Sequence, residues 1–183
     1  EQDIGYVANG DLDTAAVTAF VGGGSGYIVN WYDQSGSAYT ASQSTAASQP
    51  LYVASGQNGK PVGRWDGAND YLQKTGLSLP QPNTIFVVGK LNLTDQDYLF
   101  VDGVTGGARN LLLSRTSGSV WSIFAGAEIQ GGITNTSWHI HDGLFNTTSS
   151  NLRVDGNSIV SGNVGAYSLD GITVGIRGYD LGG

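Results

Sequence analysis

The sequence contains no cysteine and no methionine, and it is poor in proline and in bases, with 4 Pro, 8 Lys and Arg and 2 His in 183 residues. Without cysteine there are no disulfides and no thiolate zinc sites. The 15 acids outnumber the bases and give a net charge of −7. The imbalance is even along the chain: residues 1–90 carry 4 bases and 7 acids, and the remainder carries 4 and 8. No basic patch is available to neutralise phosphates, so no nucleic-acid partner is expected. No apolar run approaches the ~20 residues of a membrane-spanning helix. The chain starts at Glu1 and is expected to be a processed form or fragment of something longer.

What the sequence does have is glycine, 29 residues scattered without period, about twice the usual share of roughly 7%. Thirteen of the fifteen acids are Asp, most of them beside Gly, Asn, Ser or Thr, which is turn chemistry. Hydrophobic residues make up 39% of the chain, enough for a core, with four Trp and nine Tyr adding large surfaces. Turn signals recur roughly every 8–12 residues between short apolar segments, which predicts an all-β sandwich or barrel in one domain, 1–183.

One helix is predicted over Asp11–Val21, with Asp13 as N-cap and Gly22-Gly23-Gly24 as its stop. Strands are predicted at Tyr27–Tyr32, Leu51–Val53, Pro61–Trp65, Tyr71–Gln73, Thr84–Leu91, Asp97–Val101, Asn110–Arg115, Ser119–Ala125, Ser158–Val160 and Ile172–Arg177. Thr84–Leu91 is apolar on both faces and should be covered on both. Ala38–Ser48 reads as an ordered surface loop. In Ser137–Phe145, Trp138 and Ile140 alternate with His139 and His141, which places the apolar pair inward and the histidines outward. Leu152 and Val154 face inward with Asn151 and Arg153 outward, and Asp142-Gly143 and Asp155-Gly156 read as hairpin turns.

The Trp138-His139 and Leu152-Arg153-Val154-Asp155-Gly156 segments resemble paired strands of laminin-G-like and concanavalin A-like jelly rolls. Further blocks extend the resemblance to nearly the whole chain: Glu1–Tyr6, Leu12–Ala16, Asn30–Gly36, Thr45–Pro50 and Gly59–Leu72. They are similar to blocks in jelly-roll proteins of phages and bacterial surfaces. The resemblance implies a two-sheet antiparallel jelly-roll sandwich with one short N-terminal helix. It also implies an extracellular, cell-surface or virion setting. Such domains usually carry one more strand at each end, and open edges invite pairing with other subunits. The Tyr32-Asp33-Gln34-Ser35-Gly36 block is also similar to the catalytic domain of arabinofuranosidase B.

The second likeness implies a carboxylate pair, with Glu128 as nucleophile and Asp180 as acid/base, although the flanking patterns differ. Laminin-G-like domains often bind calcium, for which Asp66, Asp70 and Asp102 are the candidates, with Asp95 and Asp97 nearby in sequence. His139 and His141 share a strand face but have no obvious third and fourth ligand. Asp33-Gln34-Ser35 lacks a nucleophile elbow and reads as a capped turn. For sugars, aromatic faces with polar neighbours are the expected chemistry, and Tyr98, Arg109, Asn110 and Tyr179 are the candidates, with Tyr39 and Tyr167 also near turns. The four Trp residues are expected in the core. The expected function is a non-catalytic module for carbohydrate adhesion, decoration or subunit packing, as part of a homo-oligomer or larger assembly. The alternatives are a glycoside hydrolase and a purely structural self-assembling subunit.

Overall fold

The computed structural model describes residues 1–94, 98–105, 109–115 and 118–175. Among these the one α-helix is α1, Thr14–Val21. The Asp13 side chain caps it by accepting from the Ala16 N–H at 2.9 Å, and Gly22 closes it with φ 58°. Only Val17 of the helix is buried. A helix this short persists through such caps and its contacts, since isolated helices of this length are marginal in water.

The rest is antiparallel β-structure. The strands are β1 Asn30–Trp31, β2 Ala41–Ser42, β3 Leu51–Gln57, β4 Lys60–Arg64, β5 Leu72–Leu79, β6 Asn83–Gly89 and β7 Tyr98–Asp102. They continue as β8 Leu111–Arg115, β9 Val120–Phe124, β10 Glu128–Ile133, β11 His139–Phe145, β12 Ser150–Val154, β13 Asn157–Gly162 and β14 Leu169–Val174. An eight-stranded sheet has the order β1-β2-β5-β14-β7-β8-β9-β10, and a four-stranded sheet the order β13-β12-β11-β6. The β3–β4 hairpin forms a third, two-stranded sheet.

The two larger sheets face each other in a sandwich-like arrangement. Leu112, Trp121 and Ile123 of β8 and β9 meet Phe145 and Leu152 of β11 and β12, with Leu91, Ala125 and Val164 in the same cluster. Each fully buried side chain of this size contributes roughly 1.5–3 kcal/mol from leaving water. Two glycines allow the close approach. A Cβ on Gly143 would come within 3.3 Å of the Ile123 and Leu112 side chains. One on Gly131 would lie 2.5 Å from the Ile159 carbonyl oxygen, where β10 meets β13 at the sandwich edge.

Several expectations hold. Leu152 is fully buried and Val154 packs on the core, and Asp155-Gly156 turns β12 into β13 with φ 51° and 80°. Others are corrected. The phase of β11 is inverted: His141 is 1% exposed, whereas Ile140 is 54% exposed. The cause lies further along the strand. Asp142-Gly143 is no turn but mid-strand, so Phe145 and Gly143 share parity with His141, and the buried Phe145 sets which face turns inward. The strand β6 is not covered on both faces, since Phe86 and Val88 are 70% and 66% exposed. Trp121 is in the core as expected, but Trp31 is 53% exposed and Trp65 and Trp138 are half-buried. The predicted Tyr27–Tyr32 strand shrinks to β1, the loop 38–48 contains β2, and β10 was not foreseen.

Candidate functional site

The register of the large sheet builds a polar row that no local sequence pattern announces. Asn30 of β1 pairs with Ser42 of β2, Ser42 with Gln73 of β5, Gln73 with Thr173 of β14, and Thr173 with Asp102 of β7. Directly opposed residues share a face, so these five side chains cross five strands on one side of the sheet. The row is open at one end and buried at the other: Asn30 and Gln73 are half-buried with Ser42 exposed between them, and Thr173 and Asp102 are fully buried.

At the deep end, Asp102 forms a two-pronged ion pair with Arg109, with Nε donating to Oδ1 at 3.0 Å and Nη2 to Oδ2 at 2.9 Å. Gly103 N–H also donates to Oδ1 at 2.7 Å. The Thr173 hydroxyl donates to the Gly103 carbonyl at 3.2 Å and accepts from Gln73 Nε2 at 3.0 Å. At the open end, Asn30 Nδ2 donates to Glu1 Oε1 at 2.8 Å. Here a depression of about 410 Å³ is lined by Glu1, Val29, Asn30, Ser42, Gln43, Ser44, Tyr71 and Gln73.

Two aromatic residues, Trp31 and Tyr32, follow Asn30 at this end of the row. Tyr32, two residues beyond Asn30 and 43% exposed, donates its hydroxyl to Asp3 Oδ1 at 2.6 Å. That bond to a carboxylate favours the protonated phenol and raises its pKa. Trp31 projects from the other face of the strand and stacks on Trp65, with ring centroids 6.3 Å apart. Tyr6, Tyr27 and Tyr39 are also largely exposed. The loop after β1 is held by Asp33, which accepts from the Ser35 N–H, the Ser35 hydroxyl and the Tyr39 N–H at 2.7, 2.8 and 3.0 Å. The bond from Tyr39 N–H, followed by those from Ser35, draws the Asp33 pKa down to about 2. The capped turn expected at this position is therefore present.

The sites expected from sequence are distributed differently. Asp66 and Asp70 serve their own loop: Asp66 Oδ1 accepts from the N–H groups of Ala68, Asn69 and Asp70, and Asp70 Oδ2 accepts from the Asp66 N–H. Burial raises the Asp66 pKa, but the backbone donors outweigh it and the net shift is downward; burial raises that of Asp70. Arg64 lines the same surface depression as these two carboxylates. Asp102 is committed to Arg109. Among the described residues no three His, Asp or Glu side chains converge, so Asp102 does not join Asp66 and Asp70 in one side-chain cluster. Asp95 and Asp97 lie outside the described residues.

Asn110 is fully buried. Its amide faces that of Asn83, and in the orientation that satisfies both groups Nδ2 donates to the Tyr167 and Arg109 carbonyls at 3.0 Å each. Tyr98 is half-buried against the core. Arg109 is held by Asp102; of the three, Asn110 is fully buried and the other two are partly buried, while Tyr179 lies outside the described residues. Glu128 starts β10 and accepts from the Ser122 hydroxyl; its expected partner Asp180 is outside the described residues. His139 bridges Asp155 at 2.7 Å and Asn135 at 2.9 Å. His141 lies against Trp121 and Phe100, with centroids 4.4 and 4.9 Å away, and neither ring nitrogen makes a well-formed hydrogen bond among the described residues. Burial above all, then the neighbouring His139, lowers its pKa to about 4.

No family model matches the chain, and neither does any curated protein or solved structure. Of the polar row only Asp102 was singled out from the sequence, as a calcium candidate; the others were missed because paired residues are 12, 31, 100 and 71 positions apart. Only strand register brings them together.

Proposed function

We propose that this chain is a non-catalytic jelly-roll module that binds glycan at an extracellular, cell-surface or virion surface. The observation that carries the reading is the set of exposed aromatics in the first forty residues, with Trp31 at 53%, Tyr32 at 43% and Tyr39 at 45%. The same chain buries Trp121 and Phe145 fully enough to show that it has a core to put rings in. Rings held at a surface by a stacked neighbour, a carboxylate and a capped turn are suited to the C–H faces of sugars. The test is calorimetric titration with neutral and acidic oligosaccharides. Replacing Tyr32 or Trp31 by Ala is expected to weaken binding about 3–10-fold. Absence of saccharide binding by the wild-type chain would end the reading.

A second reading, subunit packing, has its own support. The strand β6 is the last in its sheet and bears no charge, and its outward Phe86 and Val88 adjoin Ile140 through the Val88–Ile140 pairing. Such an edge can add a strand from a second copy of the chain. Light scattering should then show a concentration-dependent dimer that Val88→Lys abolishes.

A further inference from the structure

We infer that the depression at the open end of the polar row is a subsite for a neutral saccharide, hydrogen-bonded through Gln43 and Gln73. This rests on the glycan-binding reading above and adds where the sugar sits and which class it belongs to. The lining holds three amides, from Asn30, Gln43 and Gln73, and three hydroxyl residues, Ser42, Ser44 and Tyr71. Its one charged side chain is the Glu1 carboxylate, and no Lys, Arg or His side chain lines it to receive an anion. Asp3, through Tyr32, adds a second carboxylate close by. Uronic acids, sialic acids and phosphorylated sugars would meet like charge there, whereas sugar hydroxyls both donate and accept, as amides do.

The orientation of Gln73 is fixed from behind. Because the Thr173 hydroxyl gives its hydrogen to the Gly103 carbonyl, it can only accept from Gln73, so Gln73 must turn Nε2 toward it. That leaves Gln73 Oε1, which takes no donor among the described residues, to accept from a ligand hydroxyl. Gln43 supplies the complement. It is 4% exposed, its Oε1 accepts from the Thr45 N–H at 2.8 Å, and its Nε2 has no partner among the described residues. A buried donor left unmatched is uncommon in a folded protein; Nε2 is enclosed here while Gln43 itself lines the depression, so a turn of its amide toward the ligand is what brings donor and ligand oxygen together. The volume of about 410 Å³ falls within the ~300–1,000 Å³ of small-molecule sites. The Tyr32 phenol interacts with Asn30 and Glu1 of this lining, which puts its hydroxyl near the depression.

The experiment is a titration of the ¹⁵N-labelled chain with xylan, cellulose and arabinan oligosaccharides as neutral probes and with oligogalacturonate as the acidic one. The side-chain amide signals of Gln43 and Gln73 are followed by NMR. A neutral probe should shift both pairs of signals. Gln73→Ala should weaken it about 5–10-fold, the loss expected for one or two ligand hydrogen bonds. Gln73→Glu, which adds a third carboxylate, should weaken it further. The NMR readout on the unaltered chain guards against a variant that fails to fold. Neutral binding that leaves the Gln43 and Gln73 signals in place and survives Gln73→Ala overturns the subsite while leaving the glycan reading intact. Preference for oligogalacturonate overturns the neutral class. No binding of any probe removes both.

Discussion

Residues 1–71 and residues 72–175 solve the problem of stability in different ways. The second region buries Leu72, Leu112, Ile123, Phe145, Leu152, Val164 and Leu169 almost completely. In the first region, Val17 and Pro50 are the buried apolar residues, while Tyr6, Phe20, Tyr27, Trp31, Tyr32 and Tyr39 are exposed. The N-terminal region is held instead by side chains that bond to nearby backbone: Asp13 to α1, Asp33 to its turn, Gln43 to Thr45, and Asp66 to its loop. Hydrophobic burial is strong but consumes the side chains it uses. Local polar bonds are weaker, yet they leave aromatic rings and amides at the surface, free to meet a ligand.

The largest expected effect separates the two regions directly. Phe145→Ala should lower unfolding free energy by about 3–5 kcal/mol, the usual range for a buried aromatic. Phe20→Ala, on the exposed side of α1, should lower it by less than about 1 kcal/mol. Equal losses in urea titration would mean that the N-terminal region shares the core and that the contrast is false.

Acid should then resolve the regions by pH. The folded-state pKa of His141 is about 4 against 6.5 for a free histidine, so between these values the unfolded chain binds more protons. Stability should therefore be full above about 6.5 and fall as pH drops toward 4, by about 3 kcal/mol in total. His141→Phe, which keeps a ring between Trp121 and Phe100, should flatten that slope. Asp33 acts at lower pH: its pKa of about 2 makes its contribution present above 3.8 and lost as pH falls through 2. Far-ultraviolet and aromatic circular dichroism across both windows would show whether the two losses are separate.

The smallest effect concerns a single cap. Asp13→Ala removes the acceptor for the Ala16 N–H and should cost about 1 kcal/mol or less, with loss of hydrogen-exchange protection confined to α1. Loss of protection in β11 or β12 as well would show that the helix is coupled to the sandwich.

Features that depend on a few adjacent residues were legible. The β class, the Asp13 and Gly22 helix stops, the Asp33 turn and the Asp155-Gly156 hairpin all follow from backbone preferences within one turn of chain. The functional residues were less legible. Aromatic residues near turns drew attention to Tyr98, but it packs on the core, whereas Tyr32 lies at the surface. Asp102, read as a calcium candidate, and Asn110, read as a sugar-binding side chain, are buried partners of Arg109 and Asn83. Polarity in a sequence records that a group needs a hydrogen-bond partner, not whether that partner is protein, water or ligand.

The sequence by itself determined that this chain makes short antiparallel strands broken by Asp- and Gly-rich turns, because those choices are made by φ/ψ preference and alternation over a few residues. Tertiary structure decided which face of β11 turns inward, which aromatics stay in water, and which polar residues line up from Asn30 to Asp102. Those outcomes depend on register between strands far apart in the chain. A shift of one residue exchanges the two faces of a strand, and only the packing of the whole core selects between them.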